Sequence, residues 1–395
     1  MASTKKLKTG VIGLGPRGFF LCTLIDEHPR MEWVAVCDLN AGRFDPLKQH
    51  VGDRIAYCTS LQEMLSLPGL DAVVVTTNDP DHKVPTVEIL RAGKHCLVEK
   101  PMAQTIEDCD EMLLAQRESG KVLMVDFELR YCVLFERMRE LIERGDIGDI
   151  KLGWAVDNVA VGGNSFFHGK RKHKSFIKSL VLQKGSHTID LLNGFMGGNP
   201  RQVFAMGGLD VFGRLYSPDK RCRDCGERDT CAYVIREKTR SYPEFYDAQV
   251  PLDDHCVYGK DVDVDDNTLI AIQYDNGKRG FYTECHFTPE YSREFTLIGD
   301  KGKMQGHFED GRFSIRVSYR HSDHVDEYHP TVSGGGHGGG ETGLMDDFVR
   351  CCQENQTPLS DGVAGRNATA VAVAAEESIE SGQAVEISTP WMPKA

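Results

Sequence analysis

Three stretches of this sequence have residue types and spacings that can do chemistry. The first is Glu99-Lys-Pro101, delivered by the apolar run that begins at His95. A lysine at the end of a buried run is a cation that can be aimed at developing negative charge, so Lys100 is the first candidate for a catalytic group. The second is His187, inside Gly185-Ser-His-Thr-Ile-Asp190. A helix is predicted over 186–196, with His187 in its first turn and Asp190 behind it on the same side, where a carboxylate can orient a general base. The competing reading of His187 is a helix-start residue that caps and packs. The third is Gly13-Leu-Gly-Pro-Arg-Gly18, which follows a strand predicted at 8–12 and opens an apolar-periodic helix. Glycines there let the chain turn, approach a pyrophosphate and pack helix on strand, while free helix N–H groups face the anion.

A second strand, 31–37, ends in Asp38, placed where an acid accepts from the ribose hydroxyls of NAD. Asp38 repels a 2'-phosphate, which favours NAD, while Arg43 nearby leaves NADP open. A valine-rich strand over 71–76 empties into Thr77-Asn-Asp-Pro-Asp-His82. That turn sits where doubly wound sheets bind ligands, so Thr77, Asn78 and His82 are candidate cofactor contacts, with a structural cap the alternative for His82. Capping boxes at Ser60–Glu63 and Thr105–Asp108 start two further helices, and strands at 94–99 and 121–127 complete an alternation that means a parallel sheet.

After residue 128 the pattern changes. An amphipathic helix over 131–144 leads to a strand at 149–161, and from Asn267 onward strands at 268–274, 279–287, 294–298, 303–308 and 312–319 read as an antiparallel meander. Helices follow at 341–352 and 362–381, then a short strand at 385–388. The expected architecture is α/β: a Rossmann doubly wound domain at 1–128, then an α/β domain on a large, mostly antiparallel sheet at 129–395, with a cysteine-rich insert at about 214–262.

Within that insert, Cys222 and Cys225 form a Cys-x-x-Cys pair, followed by Cys231 and Cys256. Thiolates so dense in a charged loop suggest a structural zinc held tetrahedrally, with His255 able to replace Cys256 and an iron–sulfur cluster open by ligand type. A basic run, Gly169-Lys-Arg-Lys-His-Lys174, can meet an anionic group or remain a solvated loop. Asp261–Asp266 lacks the glycine and closing carboxylate of an EF-hand and is not read as one.

The 395 residues exceed one ordinary core, and a net charge of −13 argues against nucleic acid or anionic membrane as partner. No apolar run is long enough for a membrane span, the N-terminal residues do not read as a signal peptide, and thirteen dispersed cysteines fit a reduced, cytoplasmic protein.

Taken together, the glycine-rich turn, Thr77–His82, Ala92-Gly-Lys-His95, Glu99-Lys-Pro101, Gly185–Asp190, His337-Gly-Gly-Gly340 and Asp361-Gly-Val-Ala-Gly365 resemble, in order, the glucose-fructose oxidoreductase / inositol dehydrogenase / MocA family. The resemblance covers nearly the full chain apart from the insert. It implies NAD- or NADP-dependent oxidation or reduction of one carbon of a sugar, cyclitol or glycoside by a homodimer or homotetramer. It also places Glu99 and Lys100 beside nicotinamide and substrate, and makes His187 the general base. The family's Asp, four residues before that histidine, is Gln183 here, followed by Lys184, and Glu128 stands where many members have Asn, ahead of Arg130. Gln183, Lys184 and Arg130 are therefore expected to bind substrate in an altered pocket. Two rival functions follow from the same resemblance: glycoside cleavage by oxidation, elimination and reduction with no net redox change, and a ligand-sensing protein without catalysis.

Overall fold

Residues 5–309, 311–331 and 337–389 are described by the structure, a computed structural model. The first half is a six-stranded sheet of β1 (Leu7–Ile12), β2 (Met31–Cys37), β3 (Ala56–Cys58), β4 (Ala72–Val75), β5 (His95–Val98) and β6 (Leu123–Val125), in the order β3-β2-β1-β4-β5-β6. Every neighbouring pair is parallel. The order reverses between β1 and β4, which opens the crevice at their carboxyl ends where doubly wound folds bind ligands. Covered on both faces, β4 buries all four of its residues, as its unbroken Ala-Val-Val-Val demands. The predicted caps form: Ser60 accepts from the Glu63 N–H and Thr105 from the Asp108 N–H.

The second half holds a nine-stranded sheet. Its strands are β7 (Ile150–Val159), β8 (Pro200–Gly208), β11 (Asn267–Tyr274), β12 (Arg279–Cys285), β13 (Tyr291–Gly299), β14 (Gly302–Glu309), β15 (Arg312–Tyr319), β16 (Val325–Tyr328) and β17 (Val385–Glu386), with β9 (Thr239–Tyr242) and β10 (Ala248–Pro251) pairing separately in the insert. The order is β16-β15-β14-β13-β7-β12-β11-β8-β17. The expected simple meander is corrected here: β7 lies between β12 and β13, parallel to the first and antiparallel to the second. Period-two alternation fixes which face a residue takes but not which strand lies alongside, so this insertion is not visible in the sequence. The helix Ser186–Met196 packs against β7, and its N-terminal end points at the crevice of the first sheet.

The halves are also tied together at their backs. The helix Gly340–Glu354 returns to the first half, where Leu344, Met345 and Phe348 join Phe19, Val36 and Met124 in one core. The insert docks there too, with the Phe245 ring edge-on to Phe20 at 5.2 Å and Tyr246 against Trp33 at 5.8 Å. Residues 332–336, just before the His337-Gly-Gly-Gly340 motif, lie outside the described residues.

Candidate active site

A cavity of about 380 Å³ lies where the carboxyl ends of β4 and β5 face the helix Ser186–Met196. Lys100 crosses it: its Nζ donates to the Gln183 carbonyl oxygen at 2.6 Å, joining the two halves. Burial is the main influence on Lys100 and pulls its pKa down to about 8, with Lys184 pulling the same way and Asp79, Glu99 and Glu128 opposing. The Lys100–Pro101 peptide is cis. His82 braces this segment, its Nδ1 facing the Pro101 carbonyl at 2.7 Å and its Nε2 the Thr77 carbonyl at 3.2 Å. With both nitrogens turned to the backbone, His82 contributes to the cavity as a positioning group.

His187 is buried in the first turn of its helix, against the edge of Phe127. Its carboxylate partner is Glu128, with Oε1 3.5 Å from Nε2, and not Asp190 as the helical spacing suggests. Asp190 is taken by Arg130, which forks onto both carboxylate oxygens and also donates to the Leu359 carbonyl. Arg130, expected to bind substrate, is therefore not brought to the cavity: a guanidinium whose donors are spent on a buried carboxylate is a structural staple. Glu128, which the sequence showed only as an odd substitution, is the residue that faces His187.

Gln183 and Lys184 sit on a π-helical turn, Val181–Gly185, directly before that helix. Widened turns of this kind recur at functional sites because they reset which side chains share a face. Here both neighbours line the cavity together with His187. The far wall adds Tyr291 and Arg293, with Arg171 at the mouth. Of the basic run, Lys172 is buried against Asp261 at 2.8 Å and Lys174 pairs with Glu376 at 3.0 Å, while Arg171 lines the cavity.

On the nucleotide side, Arg17 reaches from the glycine-rich turn into a carboxylate cluster. It pairs with Glu99 and with Asp126 at 2.8 Å, and Glu341 stands 3.9 Å away. Burial pushes the Asp126 carboxyl up to about 8 against the pull of Arg17, and Glu99 adds to the rise. Asp126 follows β6 as Glu99 follows β5, a repeated acid-after-strand signal that could have identified it.

The glycine-rich turn fits a dinucleotide. Gly13 has φ +95°, and a Cβ on Gly18 would overlap the Gly13 carbonyl, whereas nothing lies within 4 Å of the Cβ direction of Gly15. That open face is where backbone can approach a pyrophosphate. Pro16 enters the helix Pro16–Glu27 without costing a needed N–H. Asp38 lies beside the turn, accepting from the Leu14 N–H at 2.8 Å, with the Arg43 guanidinium 3.3 Å away. Thr77 lines the cavity, while the Asn78 amide leans toward Asp81 at 3.4 Å.

The cysteine expectation meets a correction. Cys222, Cys225, Cys231 and Cys256 border one small space of about 20 Å³, but all are free thiols, and among the described residues no group of three or more His, Cys, Asp or Glu side chains is placed to hold a metal ion. Neither structural zinc nor an iron–sulfur cluster is supported. The insert is held by other means: Arg223 forks onto Asp254 at 2.6 and 2.8 Å, Arg221 adds a contact at 3.2 Å, and Phe212 packs on Phe167, Tyr233 and Tyr258.

Residues 7–127 match the family model described as the oxidoreductase family's NAD-binding Rossmann fold, and residues 139–387 match its C-terminal α/β domain. The chain belongs to this glucose-fructose oxidoreductase / inositol dehydrogenase / MocA family. It is 27% identical to a putative oxidoreductase, YteT, of Bacillus subtilis, over 81% of each chain. It is 22% identical to a myo-inositol 2-dehydrogenase of Thermotoga maritima, over 96% of this chain and 98% of the relative. An oxidoreductase domain protein from Kribbella flavida shares the fold with a TM-score of 0.76 at 20% identity, covering 97% of this chain and all of the other. The protein is thus an oxidoreductase with an NAD-binding Rossmann domain. Among the described residues no helix is long and apolar enough to cross a membrane.

Proposed function

We propose that this oxidoreductase uses NAD to oxidise a secondary hydroxyl of a sugar, cyclitol or glycoside, or to reduce the matching ketone. The observation that carries the reading is the convergence of Lys100, from the Rossmann half, and the Glu128–His187 pair, from the other side, on one cavity beside the glycine-rich crevice. Asp38 at the turn favours NAD over NADP, because a second anion there would meet a carboxylate.

The nicotinamide, when bound, supplies hydride chemistry, and the protein positions and tunes the reaction. The side chains handle the proton. The reacting oxygen faces Lys100 Nζ, whose ammonium stabilises the alkoxide as it forms. His187 accepts the hydroxyl proton, directly or through Lys100, and Glu128 holds the resulting imidazolium beside a carboxylate. Such pairing does the work expected of the aspartate that Gln183 replaces, delivered from a different element. Arg17 offsets the Glu99 carboxylate on the floor of the site and holds the neighbouring Asp126.

We further propose a homodimer or homotetramer, supported by the exposed apolar face of the large sheet, where Leu152, Phe204, Met206 and Leu269 stand open.

The test is turnover of a panel of monosaccharides, inositols, uronates and glycosides with NAD and with NADP, followed by cofactor absorbance and product analysis. Stoichiometric NADH with a ketone product supports the reading. Product formed on catalytic NAD without NADH accumulation would replace it with redox-neutral glycoside cleavage, and NAD binding without any turnover would leave a sensor.

A further inference from the structure

The far wall of the cavity carries an imbalance that the hydride chemistry does not explain. Lys184 is 8% exposed, and among the described residues its Nζ forms no ion pair with a carboxylate, only the Tyr291 phenol standing against it. The nearby carboxylate, Asp157, feels the Lys184 charge but not at ion-pair distance: one oxygen accepts from Thr188 at 2.7 Å and Tyr282 at 2.8 Å, and the other faces Arg293 at 3.0 Å. What Lys184 does meet is Tyr291, whose ring centre is 5.6 Å from Nζ. Burial raises the Tyr291 phenol, yet Lys184 and Arg293 together outweigh it and draw the phenol below its ordinary pKa, the mark of excess positive charge in this corner. Beside Lys184, Gln183 is 5% exposed and its Oε1 lacks a partner. Arg171 stands exposed at the mouth, 6.0 Å from the Phe166 ring centre.

An ammonium buried without a carboxylate beside it is destabilising, and a neutral hydroxyl such as the Tyr291 phenol does not offset it as an anion does. An unpaired amide oxygen alongside asks for a hydroxyl donor. These two groups are complementary to one kind of molecule, a polyhydroxylated monoanion.

We infer that the substrate is a sugar acid, whose carboxylate is bound by Lys184 at the Tyr291 wall, with a hydroxyl on Gln183 Oε1 and Arg171 drawing the anion in at the mouth. A monoanion is favoured over a phosphate dianion because Lys184 is the one buried cation of this wall without a carboxylate at ion-pair distance, Arg293 being paired with Asp157 and Arg171 being solvated at the rim. The inference rests on reading this cavity as the substrate site.

The experiment measures binding to the protein·NADH complex by calorimetry, and kcat/KM with NAD, for D-glucuronate and D-galacturonate against D-glucose, D-galactose and glucose 6-phosphate. The uronates are expected to bind about 10- to 100-fold tighter than the neutral sugars, the range of a charge-assisted contact. That ratio should collapse toward one in Lys184→Met, survive in Lys184→Arg, and shrink several-fold at high salt and in Arg171→Gln, a rim variant that leaves the packed wall intact. Equal binding of neutral sugars, or a preference that persists in Lys184→Met, overturns the inference while leaving the dehydrogenase reading untouched. Preference for glucose 6-phosphate overturns the carboxylate assignment. Tight, Lys184-dependent uronate binding with no turnover of any compound upholds the carboxylate site as a ligand site and removes the dehydrogenase reading.

Discussion

In the proposed mechanism Glu128 and Lys100 act in opposite ways. Glu128 is a carboxylate placed against His187, and Glu128→Gln keeps the shape while removing the charge that stabilises an imidazolium. We expect kcat to fall about 100-fold with NADH affinity unchanged, read from steady-state kinetics and fluorescence titration; an unaltered kcat would remove Glu128 from the mechanism. Lys100 is a cation held down to about 8 by burial, so its ammonium fraction falls as pH rises through that value. Ketone reduction should therefore lose kcat/KM above about pH 8 and alcohol oxidation should rise toward it, and Lys100→Arg, which stays charged, should erase the inflection. The same depression means that folding works against the charged form, because the unfolded lysine binds its proton more tightly between about 8 and 10.5. Lys100→Met should accordingly lose about 1,000-fold in kcat/KM yet gain about 1 kcal/mol in urea unfolding near neutral pH. At this scale the sequence showed which groups would meet at the cavity where they follow directly from an element's end, as Lys100 and His187 do. It was not legible where the partner comes from another element. Asp190 looked right for His187 by helical spacing, but a competing guanidinium, Arg130, claims it.

At the scale of elements, strong patterns translated directly. β2, β15 and the helices Ser186–Met196 and Gly362–Ser381 fall where hydrophobic period and glycine stops place them. β8 escaped because Pro-Arg-Gln opens it and Gly-Gly closes it, so it reads as a loop and gains its order from pairing with β11. β3 has only three residues, and β9, β10 and β16 have four each, too few for a period to show. The π turn that aims Gln183 and Lys184 left no trace in the sequence either, since it depends on Ser179, whose hydroxyl and carbonyl accept from Leu182 and Gln183. The end of β2 yields a prediction that needs no such context. Asp38→Ser removes the charge that repels a 2'-phosphate and frees Arg43, so NADP should gain and NAD lose, shifting the kcat/KM ratio by about 100-fold. Unchanged cofactor preference would mean that Asp38 serves the turn alone, through the Leu14 and Asn40 N–H groups and Arg43.

At the scale of the whole molecule, the large sheet has one face covered and one face bare. Along β8 and β11 the outward residues Met206 and Leu269 stand directly opposite each other, and Phe204 lies two residues along on the same face. Trp154 and Phe281, paired across β7 and β12, stack at 5.5 Å between nearly parallel rings and extend the patch. Solvated antiparallel faces are normally polar, as the outer strands of this sheet are with Arg316 and Glu327. An apolar centre rimmed by charge is instead the anatomy of an interface, and a flat, two-sided sheet can meet a second copy of itself about a two-fold axis. Placing glutamate at Met206 and Leu269 sets like charges opposite one another on each copy and again across the proposed contact. The inner face and the cavity are untouched, so the double variant should keep its fold and NADH affinity while running near the single-chain mass of 44.0 kDa by light scattering, where the wild type runs at a multiple of it. A wild type that is already monomeric at micromolar concentration would show that this face waits for something other than its own copy.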